Sequence, residues 1–162
     1  MTTELDELID CVEGVKNKTQ RLVVVTGKPG SGKSQTLRDL AARKRWDYVD
    51  CRLLVTDEFL ELLPTLRATR APSMMGEILA DYESDILLLD RLQSLFVPAL
   101  HLDPLALLRK LSERFILIVA WPGSYENGML YFHRIGEAEP LQFDAKNITV
   151  WSKNDAEVAG GV

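Results

Sequence analysis

The chain has 162 residues, enough for one compact domain that buries roughly two-thirds of the surface its unfolded form exposes. Apolar residues at 46% and charged residues at 27% are ordinary globular values and exclude a disordered or fibrous class. A formal charge of -5 excludes a general nucleic-acid binder, whose affinity comes from cations neutralising phosphates, and leaves DNA contact only to a local patch or an indirect route.

Leu5, Leu8, Ile9 and Val12 recur at helical spacing behind Thr2 or Thr3 as a cap, so residues 2–16 are predicted to form an amphipathic helix. The opening MTTELDELID has neither the basic nor the apolar region of a secretory signal, and no apolar run is long enough to span a bilayer. The expected setting is therefore cytoplasmic, away from membranes. Leu22 to Thr26 is a β-branched run that reads as a buried strand, with glycines directly after it. From Lys33 onward Leu37, Leu40 and Ala41 share one helical face, and Arg43, Lys44 and Arg45 collect where a helix C-terminus favours cations. Trp46 to Cys51 reads as a second strand, Asp57 to Leu63 as a short helix ended by Pro64, and Ser73 to Tyr82 as another helix.

Asp85 to Asp90 is an apolar run that stops at a carboxylate, as a fully buried parallel strand would. Asp103-Pro104 supplies a cap and first-turn proline for a helix with Leu105, Leu108 and Leu111 facing inward, and Phe115 to Trp121 is the fourth strand. Beyond Gly123, Met129 to Ile135 and Ile148 to Trp151 read as short strands around a turn at Glu139-Pro140, and Ala156 to Val162 as a flexible tail. Strands alternating with helices predict an α/β fold, a parallel sheet covered by helices on both faces, in a single domain over residues 1–155.

Gly27-Lys28-Pro29-Gly30-Ser31-Gly32-Lys33-Ser34 has the glycine, lysine and hydroxyl spacing of a P-loop, placed between a strand and a helix. Glycines let backbone N–H groups turn toward phosphate oxygens, and the helix adds its positive N-terminal end. Lys33 would reach the β- and γ-phosphates, Gln35 would extend the contact, and Ser34 would bind Mg²⁺, which prefers oxygen ligands. Asp90, closing a downstream strand, matches the acidic site that supports the metal. A further strand at Trp46 to Cys51 suggests the strand order of ATPases in which another strand separates the P-loop strand from the metal-aspartate strand.

At position 91, where many such ATPases carry a water-activating glutamate, the residue is arginine, which leaves hydrolysis open. Asp50 is a candidate base, or equally a loop cap, with Asp57 and Glu58 weaker. Arg91 could face phosphate or a neighbouring subunit. Arg67, Arg70, Arg109, Arg114 and Arg134 are further arginine-finger candidates, with solvated surface roles as the simpler alternative. The candidate catalytic set is thus Lys33, Asp90, Asp50 and Arg91. Ser124, after the fourth strand, is placed for a γ-phosphate sensor. Trp46, Trp121 and Trp151 fit core or sheet-edge positions, His101 and His133 have no catalytic partner, and Cys11 and Cys51 have no metal-type spacing.

With GKPGSGKS, ILLLDR and ILIVAWPGS in place, the chain resembles the BrxF family, small P-loop proteins of type 3 bacteriophage-exclusion (BREX) systems. The resemblance covers most of the chain. It implies ATP binding by Gly27, Gly30, Gly32, Lys33 and Ser34, Mg²⁺ support by Asp90, and a role in antiviral defence. Its implied partners are a DNA methyltransferase, a larger ATPase and a phosphatase-like protein. Complete AAA+ modules carry a helical lid, for which the roughly forty residues after the fourth strand are too few. A homo-oligomer or partner is expected to cover the nucleotide. A small-molecule kinase with Leu66 to Arg70 as its lid, and a non-hydrolysing ATP-dependent assembly switch, are the alternatives. No Asn-Lys-x-Asp sequence marks a GTPase.

Overall fold

The computed structural model describes residues 3–153; the expected tail at 156–162 lies outside them. Helix α1 (Glu4–Val15) starts in a capping box. Thr3 accepts from the Asp6 N–H at 3.1 Å and the Asp6 carboxylate accepts from the Thr3 N–H at 3.2 Å. Its Leu8, Val12 and Val15 are buried. Strand β1 (Leu22–Thr26) is buried throughout, and α2 (Lys33–Lys44) begins on Gly32 and ends on Arg45, both left-handed.

Strand β2 (Asp47–Asp50) leads through a 3-10 turn to α3 (Asp57–Leu60) and α4 (Pro64–Leu79). Here the sequence expectation fails. Pro64 does not end a helix but opens α4 at a first-turn position where its missing N–H costs nothing, and Pro72 is held inside the same helix. Burial of Arg67, Ala71, Met75 and Leu79 along one face outweighs the lost hydrogen bond at Pro72.

Strand β3 (Ile86–Asp90) is followed by 3-10 turns over Leu92–Phe96 and Pro98–Leu100, then α5 (Pro104–Leu111), capped by Asp103, and β4 (Ile116–Ala120). Residues 121–153 hold no helix. They form β5 (Ser124–Glu126), β6 (Met129–Phe132), β7 (Leu141–Asp144) and β8 (Thr149–Ser152). Of these, β5 and β7 were not anticipated; their alternation is too short and too exposed to register as a period of two.

The main sheet has five strands in the order β2-β3-β4-β1-β8, and every pair is parallel. A strand does separate β1 from β3, and it is β4; the strand near Trp46, whose presence suggested the order, lies at the edge beyond β3. Alternate residues of the central strands feed two cores. Val23 and Val25 pack with Leu8, Val12, Leu37 and Leu40 of α1 and α2, while Leu22 and Val24 share a core with Met75 and Leu79 of α4 and Leu108 of α5. The sheet is thus flanked by helices on both sides. No helix among the described residues is long and apolar enough to cross a membrane.

Strands β5, β6 and β7 form a small antiparallel sheet docked through aromatic rings. Trp121 and Phe143 meet edge-on at 5.5 Å, and Phe96 lies 4.1 Å from Phe132. The Trp121 Nε1–H donates to the Tyr131 carbonyl at 2.9 Å, which seats this sheet against the end of β4. Gly123 makes that approach possible, since a Cβ there would lie 1.7 Å from the same carbonyl oxygen. Cys11 and Cys51 are both free thiols, and burial pushes the pKa of each upward.

Candidate functional site

Because the five strands run parallel, the C-terminal ends of β1, β3 and β4 lie along one edge, and the loops that follow them gather there. The loop after β1 carries the glycines. Gly30 (φ 78°) and Gly32 (φ 94°) are left-handed, a conformation that costs other L-residues about a kcal/mol or more. Gly27 is needed for space instead: a Cβ would lie 2.7 Å from Ser31 Oγ and 3.4 Å from Lys153 Cβ. The Lys153 side chain runs along this loop and ends in a 2.6 Å ion pair with Glu4 at the start of α1.

The Lys33 ammonium donates to the Gly27 carbonyl at 2.9 Å. Burial pulls its pKa below the usual lysine value, with the Asp90 carboxylate opposing that shift. Ser31 Oγ is buried with no hydrogen-bond partner. A buried polar atom in that state is uncommon, and Ser31 Oγ is thereby able to take a partner from outside the chain.

Asp90 ends β3 and is only 4% exposed. Its Oδ1 accepts from the Arg91 N–H at 2.9 Å, and its Oδ2 accepts from the Tyr48 hydroxyl of the neighbouring strand. Burial pushes this carboxyl up, but the Tyr48 hydroxyl, the nearby Ser34 hydroxyl and the Arg91 N–H together hold it below the ordinary aspartate value. It is therefore a carboxylate. Arg91 is left-handed at φ 59°, which turns the chain into the 3-10 segment that follows, and it is exposed.

Lys33, Ser34, Asp90 and Arg91 line one cleft of about 340 Å³, together with Gln93, Trp121, Pro122 and Phe132. A cradle of glycine backbone, an orphaned buried hydroxyl, the two cations Lys33 and Arg91, one hydroxyl and one carboxylate fit a polyphosphate and its divalent cation. Ser34 and Asp90 could hold the metal, and Lys33 with the loop N–H groups could hold the phosphates.

Other expected residues fall elsewhere. Asp50 pairs in register with Asp90, yet its carboxylate accepts from the Arg52 N–H at 2.9 Å and from the Arg52 guanidinium at 2.6 Å. That guanidinium holds it below the usual range, and of its two expected readings Asp50 takes the position of the loop cap. Lys28 and Pro29 are exposed, and Gln35 turns away along α2 to Asp39 at 2.8 Å. Asp57 and Glu58 are exposed in α3. Ser124 is exposed and paired with Tyr131 in the small sheet, outside the cleft lining.

Three of the finger candidates hold backbone. Arg67 is buried and donates to the carbonyls of Ala99 and, at 2.8 Å, Leu60. Arg109 bonds the carbonyls of Asp144 and Lys146, and Arg134 that of Phe96. Arg114 is exposed with its guanidinium over Phe115, and Arg70 is exposed. Leu66 to Arg70, the expected lid segment of the kinase alternative, lies in the first half of α4 with Arg67 buried. Tyr48 and Gln93 were missed. Tyr48 shows only as an ordinary strand tyrosine until the β2-β3 register is known.

Fold and site together define an α/β protein with a five-stranded parallel sheet and a glycine-rich loop at its C-terminal edge. No family model matches the chain, and no curated protein matches it. Among solved structures it is similar to PCH-2 of C. elegans, at 14% identity and a TM-score of 0.39, over 72% of this chain. The match spans 36% of PCH-2.

Proposed function

We propose that the chain is a P-loop ATP-binding protein with an AAA+-like core lacking a helical lid. It acts as a weak or partner-activated ATPase in a BREX-type antiviral defence system. The observation that carries the nucleotide reading is the convergence of Lys33, Ser34 and Asp90 on one cleft beside the left-handed glycines of the loop. The defence role and its partners rest on the resemblance of GKPGSGKS, ILLLDR and ILIVAWPGS to BrxF proteins.

Bound there, Mg²⁺·ATP supplies the transferable phosphoryl group and the divalent charge that offsets it. The chain's part is positioning and charge. Loop N–H groups and the α2 N-terminus orient the phosphates. Lys33, which is held on the Gly27 carbonyl, would offer its ammonium to phosphate oxygen, and the Asp90 carboxylate with the Ser34 hydroxyl would hold the divalent cation. Phe132, Pro122 and Trp121 supply an apolar wall.

A second reading, a nucleotide-driven assembly switch with little turnover, is favoured by one observation. Asp90 is the single carboxylate among the cleft-lining residues, since Arg91 stands where a base would and Asp50 is tied to Arg52. Nucleotide then acts through its different affinities for the free and assembled states.

Calorimetric titration with Mg²⁺·ATP tests the binding. Micromolar affinity for the wild type and at least about 100-fold loss in Lys33→Ala support it, a gap equivalent to about 2.7 kcal/mol. Equal affinities refute it. For the defence role, phage plating on cells in which the wild-type gene is replaced by the Lys33→Ala allele should show lost protection.

A further inference from the structure

Tyr48 sits on β2, one strand outside β3, and its ring packs at the edge of the core formed by α1 and α2. Its hydroxyl donates to Asp90 Oδ2 and accepts from Arg38 Nη1 at 3.2 Å. The Arg38 guanidinium lies 5.7 Å over the Tyr48 ring, and its other nitrogen reaches Gln35 at 3.4 Å on the same helix. Asp90 thus stands at the inner end of a chain that runs from the solvent face of α2 through Arg38 and Tyr48.

We infer that Tyr48 is a positioning residue for the metal-supporting carboxylate: its hydroxyl fixes Oδ2, so that Asp90 keeps a single orientation toward Ser34 and the cleft. The inference rests on the Mg²⁺·ATP reading above. A carboxylate has two oxygens and a soft terminal torsion, so one bond from the Arg91 N–H leaves it free to swing. The second bond, from a rigid ring on an adjacent strand, removes that freedom before the metal arrives. Arg38 steadies the hydroxyl from behind and keeps its proton directed at Asp90, since an oxygen that accepts from a guanidinium has its hydrogen left to give.

The alternative is a purely structural bond that satisfies a buried carboxylate. The two differ in what they couple to. A structural bond affects nucleotide binding with and without metal alike, whereas a positioning bond affects only the gain that Mg²⁺ brings. Removing an outer hydrogen-bond partner of a metal ligand typically costs 10- to 100-fold in metal affinity.

The test is the ratio of ATP affinities in saturating Mg²⁺ and in excess EDTA, measured by calorimetry for wild type, Tyr48→Phe and Arg38→Met. Phenylalanine keeps the ring and removes only the hydroxyl. Tyr48→Phe should bind ATP in EDTA within about twofold of wild type while its Mg²⁺ ratio falls by about tenfold or more. Arg38→Met should lower the ratio in the same direction by less, and it carries the test should Tyr48→Phe fold poorly. Unchanged ratios in both variants overturn the role of Tyr48 and leave the nucleotide site standing. A wild type that binds no ATP in either buffer removes the site and this inference together.

Discussion

The Lys33 ammonium is bonded at 2.9 Å to the carbonyl of Gly27, the first residue of its own loop, so the cation that faces the cleft is also the clasp that closes the loop behind it. Burial lowers the Lys33 pKa, which means that in the free protein its charge is held at a cost that phosphate would remove. Lys33→Ala removes both that cost and the bond to Gly27, which oppose each other, so the nucleotide-free unfolding temperature should change little, while wild type alone is stabilised by Mg²⁺·ATP. With nucleotide at about 100 times its dissociation constant, that ligand stabilisation is about 2.7 kcal/mol. Scanning calorimetry of both proteins, with and without nucleotide, reads both effects.

Arg67 is expected to matter for stability and not for chemistry. Arg67→Met removes charged hydrogen bonds to the Leu60 and Ala99 carbonyls and should cost about 3 kcal/mol in urea unfolding. Its ATP affinity should match wild type. A loss of turnover at full stability would restore the arginine-finger role.

Gly123→Ala places a methyl group where the Tyr131 carbonyl oxygen already lies, 1.7 Å away, and 3.1 Å from Trp121 Nε1. Relief requires the small sheet to move off β4, breaking the Trp121 to Tyr131 bond. The expected cost is about 3 kcal/mol, the upper end for overpacking, with a shift of tryptophan fluorescence as the ring gains solvent.

Acid should reveal the Asp50 and Arg52 pair. The guanidinium depresses the folded pKa of Asp50, so its contribution is present above the unfolded aspartate value of about 3.9 and is lost as pH falls through the folded value. Asp50→Asn keeps the cap on the Arg52 N–H and removes the charge. Its unfolding temperature should trail wild type slightly at pH 7, converge with it near pH 2, and show a smaller gap in high salt because the pair is solvent-facing.

Turnover by a dilute, monomeric sample should be slow, well below about 1 s⁻¹. Arg91 replaces a base, no helix covers the cleft among residues 121–153, and Arg67, Arg109 and Arg134 are spent on backbone carbonyls. A finger supplied in trans raises such rates by about 10³ to 10⁵, so turnover per molecule should climb with protein concentration or with added partner. A steady-state phosphate-release assay over a concentration series decides it.

The alternation of strands and helices up to Ala120, the glycine loop and the carboxylate at the end of β3 were all legible in the residue order, because each is written in neighbouring residues. What was not legible depends on register between distant segments. Tyr48 meets Asp90 only because β2 lies beside β3 with Asp50 level with Asp90. Gln93 reaches the cleft only because Arg91 turns the chain through a left-handed conformation that arginine rarely adopts. Pro64 misled for the opposite reason: it carries a strong local signal to end a helix, yet here it opens α4, whose buried face holds the helix through Pro72. Strands β5 and β7 of the small sheet escaped notice because an aromatic cluster holds that sheet, rather than a strand pattern of their own.

The placement of β1 between β4 and β8 sets a schedule for the nascent chain. The strand that carries the glycine loop leaves the ribosome early, yet its sheet neighbours are residues 116–120 and 149–152, made much later. Such non-local pairings slow folding and keep strand edges open meanwhile. At the far end of β8, Lys153 lies against Gly27 and within 2.6 Å of Glu4, so one wall of the glycine loop is drawn from the late-made end of the sheet. The first helix and the end of β8 thus flank the loop together, so the glycine loop is bounded by segments from opposite ends of the described chain.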